Sequence, residues 1–307
     1  MVGSSILNTF KNNGYKKILI VNRDKLDLTD SKKVDAFFKN RKPEIVVIAA
    51  AKVGGILANN TFKSEFINEN ILISFNLINS SRKYKVKKLI YLGSSCIYPK
   101  KSKQPIVEEE LLTSSLEPTN EPYAIAKIAG LKYCVYLSNQ FNLDYRALMP
   151  TNLYGPNDNF NLFNSHVIPA MIRKFYEAKI YKKKKVVLWG TGKPTREFMH
   201  VDDLSKSIIS VLNLNKKKWR SLTTGVGFLN IGTGSETSIK ELSKIIKTEV
   251  GYDGLVVFDK SKPDGTLRKS LSGKRFKKLN VKISYNIKKG IKNTISWYDN
   301  NFNNARS

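Results

Sequence analysis

Two side chains with complementary acid–base chemistry lie four residues apart near the middle of the chain. Tyr123 and Lys127 occur in "PYAIAK", a segment with helical character, so this spacing places both on one helix face. A lysine ammonium beside a phenol favours the phenolate and lowers the phenol pKa from its usual value of about 10. Such a tyrosine can give or take a proton when a carbonyl and an alcohol are interconverted. The spacing alone is not specific, because many helices carry Tyr and Lys four residues apart.

A second set of reactive side chains lies in "GSSCIYP", at the end of an apolar run. Ser94 and Cys96 are two residues apart, so both project to one side if the backbone is extended. Ser94 could then bond the same substrate oxygen as Tyr123, with the Cys96 thiol beside it. A cysteine at a strand end is more often a small buried hydrophobic residue, and this is the interpretation that we keep for Cys134.

The elements that must position these residues alternate between short β-branched runs and amphipathic stretches, which predicts βαβ units and a parallel sheet. The predicted strands of this half are Lys16–Val21, Glu44–Ala50, Lys88–Ser95 and Asp144–Pro150. The predicted helices are Ser31–Lys42, Ser64–Tyr84 and Glu121–Gln140. Pro122 suits the first turn of the last helix, and Thr119 or Asn120 suits its cap.

The regular alternation of strands and helices is interrupted after Gly155-Pro156 by a loop-like stretch, "NDNFNLFNS". Predicted helices follow at Ser165–Ile180, Ser238–Val250 and Asn286–Asn300, with predicted strands at Lys184–Gly190 and Phe228–Gly232. We therefore predict an α/β fold, with a doubly wound, Rossmann-like parallel sheet and a smaller C-terminal α/β lobe over the ends of its strands. The nucleotide-binding domain is predicted at 1–155 plus about 195–232, and the ligand-binding lobe at about 156–194 plus 233–307.

Composition narrows the classes of partner. The net charge of +28 comes mainly from lysines spread along the chain, with no recognised nucleic-acid motif, so we expect no specific nucleic-acid partner. The same field would attract anionic nucleotides. No apolar run is long enough to span a bilayer, and the first residues lack the layout of a signal peptide. Two cysteines form no disulfide framework. These features indicate a cytoplasmic protein without a membrane partner, and no metal site is predicted.

The order Ser, Tyr and Lys on a βα sheet resembles the short-chain dehydrogenase/reductases, and "PTNLYGP" with the C-terminal lobe suggests their extended branch. Longer blocks narrow this resemblance to the GDP-L-fucose synthases, a family of GDP-4-keto-6-deoxy-D-mannose 3,5-epimerase-4-reductases. Seven ordered blocks carry it: "AAAKVGGILANN", "LGSSCIYP", "LEPTNEPYAIAKIAG", "MPTNLYGPNDNF", "NSHVIPA", "REFMHVDD" and "KPDGT".

The resemblance implies an NADP(H) cofactor, the substrate GDP-4-keto-6-deoxymannose and a homodimer. It implies that Cys96 is the base and His166 the acid of the epimerisation. Tyr123 would donate the proton in the reduction, Lys127 would hold the cofactor ribose, and Ser94 would position the keto oxygen. The other histidine, His200, is expected to pack near a helix start that is capped by Asp202 or Asp203.

Further contacts follow from positions that match the family. The NADP groove would be lined by Ala50, Ala51, Leu92, Lys127, Pro150, Asn152, Leu153 and His166. The GDP-sugar site would include Lys174, Trp189, Arg196 and Asp264. Arg196 suits the diphosphate, because a guanidinium can bind it with two hydrogen bonds. Arg23, just past the "ILIV" strand, is well placed for the 2′-phosphate of NADP.

The amino terminus departs from the family pattern. Of the expected G-x-x-G-x-x-G turn only the last glycine remains, as Gly3, leading into a helix predicted for Ser4–Asn13. A misassigned start or a partial sequence is the expected cause. We expect unpaired strand edges and weak NADPH binding. A related nucleotide-sugar epimerase with bound NAD, or a truncated, catalytically impaired nucleotide-binding homologue, remains open as an alternative.

Overall fold

The computed structural model of the protein describes residues 1–22, 24–262, 264–303 and 305. The helices are α1 (Val2–Asn12), α2 (Ser31–Arg41), α3 (Ile56–Thr61), α4 (Lys63–Lys83), α5 (Glu121–Gln140), α6 (Val167–Ile180), α7 (Val201–Asn213), α8 (Lys216–Leu222), α9 (Ile239–Val250), α10 (Lys274–Lys277) and α11 (Ile287–Asn300). The strands are β1 (Ile45–Ile48), β2 (Lys88–Leu92), β3 (Tyr145–Pro150), β4 (Asn152–Tyr154), β5 (Lys185–Trp189), β6 (Thr195–His200), β7 (Phe228–Ile231), β8 (Glu236–Ser238), β9 (Leu255–Asp259) and β10 (Arg268–Lys269).

The main sheet has the order β1-β2-β3-β7, and all its strands are parallel. Alternate residues of each strand enter two different apolar cores, because successive side chains of a strand point to opposite faces. Tyr91 and Met149 pack with α2, α4 and α5 on one face, whereas Ile90 and Leu148 pack with α1 and α7 on the other. Both faces are covered by helices, and the predicted doubly wound α/β fold is confirmed.

A second set of strands builds the C-terminal lobe. β6 pairs with β4 and β10 in parallel and with β8 in antiparallel orientation, while β5 and β9 form a separate parallel pair. A third apolar core joins these strands to α6, α9 and α11. Ser238 and Asn286, predicted as first helical residues, are instead N-caps that accept from the N–H groups of Glu241 and Lys289. The division of the chain into two domains stays a prediction.

The predicted strand at Lys16–Val21 is wrong. The segment has no regular structure, and the side chains of Leu19 and Ile20 are 51% and 59% exposed. No strand among the described residues pairs with it, so its backbone hydrogen-bonding groups gain nothing from a strand conformation. Ile18 alone packs against an apolar core. The β-branched pattern is typical of a strand, but a strand is stable only where a neighbouring strand pairs with its backbone.

The outer edge of β1 fits the expectation of unpaired edges. β1 is the last strand of its sheet, paired only with β2 in the part of the chain that the structure describes. Its first residue, Ile45, is 37% exposed. No helix in the described ranges is both long and apolar enough to cross a membrane.

A buried arginine fastens the amino end of β3 to the end of α7. Arg146 is 0% exposed. Its guanidinium donates to both carboxylate oxygens of Asp144, at 2.6 and 2.9 Å, to the carbonyl of Leu214 at 2.8 Å and to that of Val211. The indole of Trp219 lies 5.5 Å from it. Because every partner is itself anchored, this cation fixes the sheet against the helix behind it.

We expect Arg146→Met to lower the free energy of unfolding by about 3–5 kcal/mol, because it leaves the partly buried Asp144 carboxylate and the two backbone carbonyls without their buried donor. Urea denaturation at pH 7 measures this. The control is Arg268→Met, which breaks an exposed pair with Glu236 and should cost at most about 1 kcal/mol. Equal losses in the two variants would contradict the role assigned to burial.

Candidate active site

The register of the main sheet brings separate chain segments to one edge. Ile48 lies opposite Tyr91, and Leu92 lies opposite Leu148, so β1, β2 and β3 end close together. Parallel strands place their carboxyl ends on the same side, where open α/β sheets bind ligands. The predicted cofactor and catalytic residues on this edge are Ala50, Ala51, Leu92, Ser94, Cys96, Pro150, Asn152 and Leu153.

The cysteine segment turns where the sequence predicted an extended strand. β2 ends at Leu92, and Ser95–Ile97 forms one turn of 3₁₀ helix. Gly93 lets the side chain of Met149 pack closely against the backbone, because a Cβ there would force that side chain to move. Ser94 caps the turn: its Oγ accepts from the Cys96 N–H at 3.2 Å. The prediction that an extended backbone aligns Ser94 and Cys96 is therefore wrong, and this hydrogen bond holds them together instead.

Tyr123 and Lys127 lie at the start of α5, on the face that meets the end of β2. Lys127 is 3% exposed, and its Nζ donates to the Leu92 carbonyl at 3.0 Å. The same Nζ lies 5.8 Å from the centre of the Tyr123 ring. The predicted helix therefore delivers both side chains to the Ser94 turn.

The pKa values in this cluster differ from the sequence prediction. Burial raises the pKa of Tyr123 well above its ordinary value, the nearby Cys96 raises it further, and the Ser94 hydroxyl opposes both effects. Burial also lowers the pKa of Lys127 to about 8. The predicted lowering of the tyrosine pKa is wrong, because desolvation of the phenol itself is the largest effect on its pKa. Tyr123 is therefore a protonated phenol at neutral pH, ready to donate.

His166 enters this region from the C-terminal lobe. It is the N-cap of α6, its side chain makes no capping hydrogen bond and the residue is exposed. The preceding loop is held to the start of α3 by the Gly55 N–H, which donates to the Asn164 carbonyl at 2.8 Å. Desolvation lowers the pKa of His166. No hydrogen bond or ion pair joins His166 to Cys96 within the described ranges.

The four predicted GDP-sugar residues lie around β5 and β6. Trp189 ends β5 and is 67% exposed. Asp264 accepts from the N–H of Thr191 at 2.9 Å and from its hydroxyl at 2.7 Å. Arg196, half-buried in β6, feels the charge of Asp264. Lys174 on α6 lies within 3.4 Å of the Val187 carbonyl. Two cations, Lys174 and Arg196, and the exposed indole of Trp189 thus lie along one rim of the lobe.

The remaining predicted residues have mixed outcomes. Gly3 lies inside α1, which begins at Val2 rather than at Ser4. Arg23 lies outside the described residues.

His200 is structural, as predicted, with its ring buried and stacked 3.9 Å from that of Tyr285. Its helix is not capped by an aspartate: His200 itself is the cap, and its Nδ1 accepts from the N–H of residue 202.

Sequence reasoning missed Glu197, which ties the two sides of the site together. Its carboxylate, 0% exposed, accepts from the N–H groups of Gly234 and Leu271, each at 2.8 Å. Its carbonyl accepts from Thr151 Oγ1 and Asn152 Nδ2, which follow the end of β3. The available signal was an acidic residue inside the otherwise apolar stretch "EFMHV" of "REFMHVDD".

The fold and these residues define a nucleotide-binding α/β protein with a Ser-Tyr-Lys centre. A family model described as "NAD dependent epimerase/dehydratase family" matches residues 1–225. The chain belongs to this family.

More specific relatives are GDP-L-fucose synthases. The chain is 48% identical over 299 residues to GDP-L-fucose synthase of Escherichia coli (strain K12), covering 97% of this chain and 93% of that enzyme. It is 46% identical over 298 residues to GDP-L-fucose synthase 1 of Arabidopsis thaliana, covering 97% and 90%. The solved structure of a GDP-L-fucose synthetase from Naegleria fowleri bound to NADP matches with a TM-score of 0.89 and 28% identity, over 100% of this chain and 93% of that one. The resemblance read from the sequence blocks is confirmed.

The loop that leads to His166 contains a buried carboxyl group that makes the stability of the protein depend on pH. Asp158 is 7% exposed, and burial raises its pKa to about 6. Its Oδ1 accepts from the Asn159 N–H at 2.8 Å, whereas Oδ2 accepts no hydrogen bond within the described residues. The folded state therefore holds this proton more tightly than the unfolded chain, and stability falls as pH rises from about 4 to 6.

We expect Asp158→Asn to stabilise the protein at pH 8 by about 2–3 kcal/mol and to change little at pH 4, because the amide keeps the Asn159 bond without a buried charge. Denaturant unfolding at both pH values measures the difference. The control is Asp259→Asn, since hydrogen bonds from Ser261 lower the pKa of that exposed carboxyl. That variant should lose stability at pH 8. A loss in Asp158→Asn at pH 8 would contradict the prediction.

Proposed function

We propose that the protein converts GDP-4-keto-6-deoxy-D-mannose to GDP-L-fucose, by epimerisation at C3 and C5 and reduction of the C4 ketone with NADPH. The relatives described above support this activity. The structural observation that carries it is the thiol of Cys96, fixed by its N–H to Ser94 and placed against Tyr123. A reductase alone needs the serine and tyrosine, whereas an epimerase needs a base beside the same carbonyl.

The residues at the sheet edge fit a nicotinamide dinucleotide. NADPH, when bound, supplies the hydride that reduces the ketone. Lys127, with its Nζ at the end of β2, would donate to the ribose. The start of α1 has no side-chain cap, and a Cβ on Gly3 would meet no atom within 4 Å, so this helix start is open to a phosphate group. Pro150, Asn152 and Leu153 would line the nicotinamide end.

The reduction needs a proton at the ketone oxygen, and Tyr123 is suited to give it. Its raised pKa keeps the phenol protonated across the neutral range. As hydride arrives at C4, the oxygen gains negative charge and becomes basic enough to take that proton. Ser94, whose hydroxyl lies beside the phenol, donates to the same oxygen and holds the carbonyl in line.

Epimerisation uses the acidity of the carbons that flank the ketone. Cys96, as thiolate, removes a proton from C3 or C5, and the negative charge moves onto the carbonyl oxygen, where Tyr123 and Ser94 stabilise it. His166, as imidazolium, returns a proton to the opposite face. Desolvation lowers the pKa of His166, so its imidazolium gives up the proton more readily than an ordinary histidine does.

The nucleotide half of the substrate would lie along the rim of the C-terminal lobe. Arg196 would bind the diphosphate with two hydrogen bonds, and Lys174 would add a second positive charge. The exposed indole of Trp189 offers a flat apolar surface, and Asp264, held by Thr191, can accept from a sugar or base donor. The sugar would then extend from this rim towards Cys96.

Two substitutions should separate the partial reactions. Cys96→Ser should slow deuterium exchange at C3 and C5 by about 10²–10⁴-fold, because a hydroxyl is a far weaker base, and leave reduction of an epimerised substrate possible. Tyr123→Phe should slow NADPH oxidation by a similar factor and slow exchange much less, because Ser94 still donates to the carbonyl oxygen. Mass spectrometry follows the deuterium, and absorbance follows NADPH.

The matched control for the tyrosine is Tyr136→Phe, on the same helix but 60% exposed, which should leave both reactions unchanged. Equal loss of exchange and reduction in both site variants would contradict the division of roles. Wild-type protein that neither exchanges deuterium nor oxidises NADPH with this substrate would overturn the proposed activity.

A homodimer is part of the same proposal. Its support is the family resemblance together with the exposed faces of α5, where Ile125 and Tyr136 are 40% and 60% exposed. Sedimentation equilibrium should give twice the chain mass of 34.8 kDa. Tyr136→Lys should shift the equilibrium towards monomer, because it places a charge in an apolar contact. A wild-type monomer at micromolar concentration would contradict this assignment.

A further inference from the structure

Asn120 occupies a capping position without capping its helix. It is the N-cap of α5, but its side chain makes no capping hydrogen bond, and its ψ of 12° is not that of an extended cap residue. Pro122 follows two positions later and has no N–H to give. By contrast, Asn215 and Asn286 cap their helices by accepting from the N–H three residues on. The sequence prediction is right about the position and wrong about the hydrogen bond.

The Asn120 side chain, which makes no capping bond, lies one helical turn before the catalytic tyrosine. Asn120 precedes Tyr123 by three residues and Lys127 by seven, so all three lie on one face of the helix start. Its Oδ1 is buried and accepts no hydrogen bond from any described residue. A buried acceptor without a partner is unfavourable, and folded proteins keep one where a ligand or a water satisfies it.

We propose that Asn120 determines specificity for the hydroxyl group beside the ketone, by accepting a hydrogen bond from the substrate O3 at its Oδ1. This inference rests on the proposed function. Tyr123 and Ser94 direct the C4 carbonyl to the start of α5. Of the two carbons that flank it, C3 carries a hydroxyl, whereas C5 carries a methyl group and the ring oxygen, neither of which donates. The C3 hydroxyl is therefore the donor nearest to Asn120.

The consequence is discrimination against a 3-deoxy sugar. With O3 missing, Oδ1 stays buried and unmatched in the complex, and a site built to bond a hydroxyl rejects an analogue that lacks it. The same bond orients C3 towards Cys96 before its proton is removed. Asn120 thus acts on the choice of substrate, and no bond to Asn120 forms or breaks in the reaction.

The test compares GDP-4-keto-6-deoxymannose with its 3-deoxy analogue, following NADPH oxidation. For wild-type protein we expect kcat/KM to favour the hydroxylated substrate by roughly 10²-fold or more. Asn120→Ala should lower kcat/KM for that substrate by roughly 10²-fold and change the value for the 3-deoxy analogue by less than about threefold. Asn120→Asp keeps an acceptor oxygen and should retain the preference.

Binding gives a second readout that needs no turnover. Calorimetric titration with GDP-L-fucose and with its 3-deoxy counterpart should show a preference for the former that Asn120→Ala removes. Asn286→Ala is the matched control: it deletes a working cap and should lower Tm without changing either preference, whereas Asn120→Ala should leave Tm nearly unchanged.

The outcomes separate this inference from the proposed function. A loss in Asn120→Ala that is equal for the two substrates, or an unchanged preference, overturns the specificity role while leaving the activity intact. A wild-type protein that turns over neither substrate overturns the proposed function and this inference with it. A lowered Tm in Asn120→Ala, as large as that of Asn286→Ala, would show a cap after all and would also overturn it.

Discussion

The bond from Lys127 to the Leu92 carbonyl is the contact on which the site depends. It joins the first turns of α5 to the last residue of β2 at 3.0 Å, and both elements carry reacting groups. Since Leu92 is held in register with Leu148, the same bond sets α5 against the residues that follow β3. Tyr123, one helical turn before Lys127, thereby reaches the Ser94 turn, and a change in this bond would move proton donor and base together.

Glu197 plays the corresponding part for the C-terminal lobe. Its neighbour Arg196 belongs to the substrate rim. The Glu197 carbonyl accepts hydrogen bonds from Thr151 and Asn152, and its carboxylate accepts from the N–H groups of Gly234 and Leu271. A single buried residue thus connects the cofactor edge with the loops that border the nucleotide. Backbone donors offset only part of the energetic penalty of burying its charge, because burial still leaves the pKa of Glu197 raised.

The sequence predicted well wherever local pattern and tertiary environment agree. β3 and α5 fall almost where periodicity placed them, because one is buried on both faces and the other has clear end signals. Lys16–Val21 has the same β-branched pattern and fails, since a strand depends on a partner that periodicity does not reveal. The conformation of the Ser94 turn was predicted wrongly for a different reason. It depends on one hydrogen bond, from the Cys96 N–H to Ser94, and on the close packing of Met149 against Gly93. Glu197 could not be assigned at all, because its partners are distant in sequence.

Burial drives the ionisable groups of the site towards their neutral forms. It raises the pKa of Tyr123 and lowers those of Lys127, His166 and Arg196. The net charge of +28 is therefore carried mainly by lysines away from the reacting centre, where it can gather anionic nucleotides over a distance. Once a phosphate-bearing ligand enters, its negative charge favours the ammonium of Lys127 and the guanidinium of Arg196 again. Binding thus reinforces the positive charge of these two groups, while the phenol keeps its proton until the ketone oxygen takes it.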